Sequence, residues 1–293
     1  MSWDINQAIK DVDEALERLI PAEDTFPQEI HRAVRYSVFA GGKRLRPLLT
    51  LAAAEIFGVP RLHALPAACA IEMVHTYSLI HDDLPALDDD DYRRGRLSNH
   101  KVFGDAMAIL AGDSLLTLAF ETLAAEATAY FAPATVVRLT EALGKAAGMS
   151  GMIGGQVVDL LSEGKQVNAA TLDYIHRHKT GALFTCCIKS GAIMGGASLE
   201  EMQRLTVFAQ NIGLAFQIVD DILDITGDEA ALGKKTGADQ NRQKATYPAL
   251  YGLKQAEEKA RDLLSAAEKE MEYFGDAGKS LLFLAKKLVE REK

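Results

Sequence analysis

Phe216-Gln217-Ile218-Val219-Asp220-Asp221-Ile222-Leu223-Asp224 places three carboxylates inside an otherwise apolar run. Ionised carboxylates in such surroundings are costly unless they are paired or bound to metal. Asp220 and Asp224 are four residues apart, about 40° around an ideal helix, and so share one face. A face of this kind can hold a hard cation. Apolar residues also recur at three- and four-residue intervals elsewhere. Ile5, Ile9, Val12, Leu16 and Leu19 form one stripe, and Leu263, Leu264, Met271 and the Leu281 to Leu288 stretch form others. Alternating strand patterns bounded by turn dipeptides are missing, and the good helix formers Ala, Leu, Glu, Lys and Gln dominate. The expectation is an all-α bundle of about ten or more helices.

Breaks fall at Pro21 to Pro27, Gly41-Gly42, Gly58-Val59-Pro60, Gly95 to Asn99, Pro133, Gly164 to Asn168, Gly195-Gly196, Gly227 to Gly237 and Gly275 to Gly278. None is long or of low complexity, so residues 1–293 are expected to form a single domain. No stretch reaches the roughly 20 apolar residues of a membrane span, and no signal-peptide pattern opens the chain. A cytoplasmic protein is expected. Cys69, Cys186 and Cys187 are an odd number without metal-ligand spacing and read as small buried thiols.

A net charge of −9 argues against a nucleic-acid partner, because a phosphate backbone needs a basic footprint. Phosphate substrates remain compatible if divalent cations stand between them and protein carboxylates. A second acidic cluster makes that relevant. His81-Asp82-Asp83-Leu84-Pro85-Ala86-Leu87-Asp88-Asp89-Asp90-Asp91 carries six carboxylates within ten residues and runs into Tyr92-Arg93-Arg94-Gly95-Arg96. Read alone it is a solvated acidic loop. Asp82 and Asp88 lie about 120° apart on an ideal helix and share no face there, but Pro85 between them would kink a helix. All ligands on offer are oxygen, which favours Mg²⁺ or Mn²⁺.

The D-D-x-x-x-x-D cluster leading to Arg-Arg-Gly, the later D-D-x-x-D, and Gly41-Gly42-Lys43-Arg44-Leu45-Arg46-Pro47 resemble the trans-isoprenyl diphosphate synthase family, and within it the bacterial farnesyl diphosphate synthases. The order and spacing match from Gly41 to Pro248. The resemblance implies an isoprenoid-synthase bundle around a central cavity, a homodimer, and isoprenyl diphosphates as substrates. It implies three Mg²⁺ ions, with Mn²⁺ as an alternative, on Asp82, Asp88 and Asp220, supported by Asp83, Asp221 and Asp224. Gly42, Lys43, Arg46, His75 and Arg94 would bind isopentenyl diphosphate. Arg93, Lys179, Thr180, Gln217 and Lys234 would surround the allylic diphosphate, with Lys244 a weaker candidate. Of these, Lys179, Thr180 and Gln217 would assist its ionisation.

Read without the family, Lys179-Thr180-Gly181 is a helix end, Lys234 and Lys235 are solvated loop lysines, and His75 is a satisfied helix histidine. The glycine-rich basic stretch ahead of Pro47 can by itself form an anion site at a helix start. Gln156 and Asp159, three apart in Gly155-Gln156-Val157-Val158-Asp159, resemble a family element expected to support the substrate ligands. Tyr77, five residues before Asp82, and the two extra residues of the first cluster match the pattern for a C15 product. A geranylgeranyl (C20) diphosphate synthase shares every diphosphate motif and is the alternative. A terpene cyclase or a non-catalytic regulatory subunit is disfavoured, because both clusters and Lys43 and Arg46 are intact.

Overall fold

The computed structural model describes residues 3–226 and 246–290, and it is all-α apart from one short hairpin. Lys234, Lys235 and Lys244 lie outside the described residues. The chain divides into two compact units: Met1–Leu51 with Pro60–Thr140, and Ala52–Val59 with Glu141–Lys293.

The first unit is built on α4 (Arg61–Asp82), with α1 (Ile5–Leu19), α2 (Gln28–Val38) and α6 (Asp105–Ala125) packed against it. Along α4, small and apolar residues face inward nearly all round, among them Ala64, Ala67, Ala68, Ala70, Ile71, Met73 and Val74. A helix apolar on every side must be enclosed by neighbours. In α1 the stripe centres on Ala8, Val12, Ala15 and Leu16, with Ile5, Ile9 and Leu19 half-buried at its margins. Asp4 caps that helix by accepting from the Gln7 amide at 3.0 Å.

Sequence periodicity leaves out the hairpin, β1 (Tyr92–Arg93) paired antiparallel to β2 (Arg96–Leu97). Its two turn residues, Arg94 at φ 53° and Gly95 at φ 73°, have the left-handed backbone of a two-residue hairpin turn. With only two residues a side, the hairpin has no alternation to detect. The Tyr36 hydroxyl of α2 donates to the Leu97 carbonyl at 2.8 Å and holds it in place. The short α5 (Asn99–Phe103) follows.

Among the described residues one helical stretch, Asp105–Ala129, has the length and composition to cross a membrane, and 39% of its apolar window is buried. Its buried positions, Ala108, Ala111, Gly112, Leu115 and Ala119, face the core of the first unit.

The second unit is organised by α11 (Leu199–Thr226), which packs on α10 (Gly181–Met194) and on α13 (Leu253–Glu272). Helices α10 and α11 cross closely because Gly213 faces Gly181, and a Cβ at 213 would lie 3.2 Å from the Gly181 Cα. Helix α13 buries Ala256, Ala260, Leu263, Leu264, Ala267 and Met271, a helical stripe, and α14 (Lys279–Val289) closes over it. Helices α8 (Met152–Ser162) and α9 (Ala169–Ile175) complete the unit, with the short α12 (Tyr247–Tyr251). Helices α3 (Leu45–Glu55) and α7 (Pro133–Ala147) run from one unit into the other. Cys69, Cys186 and Cys187 are buried thiols.

Candidate active site

In the second unit, Lys179 and Thr180 end a π-helical turn, His176–Thr180, between α9 and α10. Such turns are rare and widen the backbone locally, so neighbours must hold them. Helix α8 approaches from one side, where Gly155 leaves room. A Cβ on it would lie 2.1 Å from the Lys179 nitrogen and 2.7 Å from its Cα. From the same helix Asp159 accepts from the Lys179 ammonium at 2.7 Å, the supporting contact expected of Gly155-Gln156-Val157-Val158-Asp159. On the α11 side the Thr180 hydroxyl donates to Gln217 Oε1 at 2.9 Å. The turn that ends in Lys179 and Thr180 is thus bonded to Gln217, on the helix that carries Asp220.

Of the three α11 aspartates, Asp220 is half-exposed while Asp221 and Asp224 are 3% exposed. Asp221 is occupied by protein donors: Gln217 Nε2 at 3.3 Å, His176 Nε2 at 3.0 Å and the Tyr247 amide at 3.0 Å. These bonds offset the cost of burying the carboxylate.

In the first unit, α4 ends at Asp82 and Pro85 lies in the turn beyond it. A kinked helix is therefore not what brings Asp88 round. The chain stops its helix and folds back, and the Asp88 amide donates to the Asp82 carbonyl at 2.8 Å. Pro85 suits this turn because it has no amide to satisfy. Asp83, 2% exposed, is bound by Arg93 through Nε at 2.9 Å and also through Nη2, and Arg93 reaches Asp90 at 3.3 Å. Burial pushes the Asp83 carboxyl above its ordinary range against the pull of Arg93.

The hairpin turn sends the two adjacent arginines to different tasks. Arg93 meets the acidic cluster, while Arg94 donates to the Gly41 carbonyl and lays its guanidinium against Gly42. A Cβ at Gly42 would lie 2.9 Å from Arg94 Cζ, and its φ of 134° favours glycine. Pro47 sits in the first turn of α3, as expected, although that helix begins two residues earlier at Leu45. Burial, together with the guanidiniums of Arg46, Arg94, Arg93 and Arg44, holds the His75 imidazole well below its ordinary range. His75 is thus neutral and surrounded by cations, the field of an anion site. Lys43 is exposed at the mouth of the glycine turn.

Arg44, between two residues assigned to substrate, is turned the other way. At φ 46° it is 4% exposed, and it donates to Glu72 at 3.0 Å, Asp13 at 2.7 Å and the Val38 carbonyl at 2.8 Å. Tyr77 is 5% exposed, and its ring meets His81 edge-on at 5.7 Å. His81 in turn occupies the space over Gly112, where a Cβ would lie 2.1 Å from its Nε2.

The donor set fits magnesium. It is wholly oxygen, and among the described residues no three His, Cys, Asp or Glu groups converge into a closed cage. Mg²⁺ is ordinarily bound by one or two carboxylates with substrate phosphates and water completing the octahedron, so a closed cage is not required.

Gly155→Ala is expected to displace Lys179, because the clash is with its backbone, and to lower kcat by about 100-fold under the role proposed for Lys179 below, the effect of about 1 Å of displacement. The KM for isopentenyl diphosphate should stay within about twofold, since that KM reports uniform binding at other residues. Steady-state kinetics on the purified variant reads both.

His176 and Tyr247 escaped the sequence reading, as did the packing of Gly155 on the Lys179 backbone, since a π turn has no periodic signature and the partners lie far along the chain.

Known proteins resemble this chain along nearly its whole length. A farnesyl diphosphate synthase of Geobacillus stearothermophilus is 46% identical over 288 residues, covering 98% of this chain and 97% of that one. A geranylgeranyl diphosphate synthase of Cyanophora paradoxa is 46% identical over 281 residues, covering 96% and 93%. A crystal structure described as an FPP/GFPP synthase from Zymomonas mobilis superposes with a TM-score of 0.87 at 39% identity, covering 97% of each chain. Residues 27–279 match the family described as polyprenyl synthetase, and the chain belongs to that family.

Proposed function

We propose that this prenyltransferase joins isopentenyl diphosphate head-to-tail to dimethylallyl or geranyl diphosphate and stops at farnesyl diphosphate, C15. The observation that carries the reading is the bond from Thr180 to Gln217, which ties the Lys179–Thr180 turn to the helix bearing Asp220. Lys179, Thr180, Gln217 and Arg93, joined by Lys234, bind the allylic diphosphate. Gly42, Lys43, Arg46, His75 and Arg94 bind the diphosphate of isopentenyl diphosphate.

Members of the family are generally Mg²⁺-dependent. Asp82, Asp88 and Asp220 would hold Mg²⁺, three ions with Mn²⁺ as the alternative, and the bound metal would supply positive charge against the leaving diphosphate. Asp83, Asp221 and Asp224 support this set. As the allylic C–O bond breaks, its electron pair goes to the diphosphate, and Lys179 and Thr180 stabilise the charge that develops there. The π electrons of isopentenyl diphosphate then form the new C–C bond to the allylic cation. The adjacent proton leaves to the released diphosphate, so no side chain acts as nucleophile or base.

A homodimer and a cytoplasmic setting belong to the same proposal. On helix α6, Ile109 and Leu110 are 44% and 52% exposed, surface that a second copy would cover.

The test sizes the dephosphorylated products from labelled isopentenyl diphosphate with dimethylallyl or geranyl diphosphate as starter, with Mg²⁺ and with EDTA. A metal-dependent C15 alcohol is expected. Tyr77→Ala should shift it to C20 or longer, because the buried ring closes the end of the tail cavity in this reading. A C20 product from the unaltered protein would instead support the second reading, which the Cyanophora paradoxa relative favours. No product from either starter would overturn the proposal.

A further inference from the structure

His176 enters none of the roles above, although it is 6% exposed and starts the turn that ends in Lys179 and Thr180. Its Nε2 lies 3.0 Å from Asp221 Oδ2, and since an ionised carboxylate only accepts, Nε2 carries the donated hydrogen. Asp221 Oδ1 accepts from Gln217 Nε2, one helical turn earlier, and Gln217 Oε1 accepts from Thr180. The turn is thereby tied to α11 at its first residue and at its last, and the two anchors are bonded to each other. The result is a closed ring, His176 to Asp221 to Gln217 to Thr180. Tyr247 strengthens it: its amide shares Asp221 Oδ2, its ring stacks on His176 at 5.6 Å and 18°, and its hydroxyl bonds Asp173 of α9.

A π turn left to itself relaxes toward ordinary helix, which would rotate every residue after the widening. Fixing only Thr180 would leave His176 free to wind in and would carry Lys179 away from Asp159. Fixing both ends removes that freedom. We infer that His176 is a positioning residue for ionisation of the allylic diphosphate, acting through Asp221 to fix the Lys179–Thr180 turn and the orientation of the Gln217 amide. Asp221 accordingly serves as an internal acceptor for the protein's own donors. The inference rests on the function proposed above.

His176→Phe keeps the ring and its stacking on Tyr247 but removes the donor, whereas His176→Gln keeps an N–H at similar reach. The phenylalanine variant should lose at least about tenfold in kcat, less than the roughly 100-fold of a full 1 Å displacement. Its KM for isopentenyl diphosphate should stay within about twofold, and the glutamine variant should recover kcat to within about threefold of the parent. A merely structural role would not produce that rescue together with an unmoved isopentenyl KM. Should the phenylalanine variant fold poorly by circular dichroism, His176→Asn, small, polar and too short to reach Asp221, makes the same comparison with glutamine.

Unchanged kcat in the donor-less variants, or equal impairment in the glutamine variant, overturns the inference. Lys179→Ala run alongside separates the two levels. If it loses activity while the His176 variants do not, only the inference fails; if Lys179→Ala is itself active, the reading of the turn fails.

Discussion

Arg44→Met is expected to destabilise the protein by about 3–5 kcal/mol, the cost of removing one partner from a buried ion pair. The loss of hydrogen bonds is the smaller part of that figure, at about 1 kcal/mol each. The larger part is Glu72, whose side chain is 2% exposed inside α4 and would lose its ion-pair partner. Asp13 contributes less, because its side chain is 44% exposed and water can replace the guanidinium. Burial alone would loosen the proton on Arg44, but Glu72 and Asp13 more than reverse that, so the guanidinium stays charged. Pairing the change with Glu72→Leu should recover most of the stability, because the uncompensated charge is then gone. Urea midpoints for the two single variants and the double variant measure this. A fall of under about 1 kcal/mol for Arg44→Met would show that the pair matters little, as surface pairs do.

Arg44 also shows where sequence reading stops. In Gly41-Gly42-Lys43-Arg44-Leu45-Arg46-Pro47 three cations alternate with glycine and leucine, and nothing in composition distinguishes the one that turns inward. The difference is a left-handed φ at Arg44, a property of the folded turn. The helices themselves were legible, because a buried stripe such as Val12, Ala15 and Leu16 repeats at the helical period whatever it packs against. So was the α11 cluster, since three aspartates in an apolar run demand a partner. The first cluster was legible in chemistry but not in shape. Pro85 signals a break in a helix, yet whether the helix kinks or stops depends on the Asp88 amide finding the Asp82 carbonyl. The hairpin and the π turn were illegible for a common reason, being shorter than any period that could reveal them. Each is specified by distant contacts, Tyr36 to Leu97 for the one and His176 to Asp221 for the other.

The second large effect concerns Asp82 and Asp220, the carboxylates proposed to hold Mg²⁺, which lie in different units of the chain. Asp82→Asn and Asp220→Asn should each lower kcat by about 10²–10³-fold at saturating Mg²⁺, the range for removing one group that stabilises developing charge on a leaving oxygen. Asparagine keeps the shape and removes the negative charge, so folding should be little disturbed. Groups that stabilise one transition state together are strongly non-additive, because once one is gone the other has less to act on. The central claim is that both aspartates, through Mg²⁺, act on one departing diphosphate. The double variant Asp82→Asn with Asp220→Asn tests it most directly, with kcat compared against both single variants. The account predicts a double variant within about tenfold of the worse single; full multiplication of the two losses, or singles that keep near-parental kcat, would contradict it.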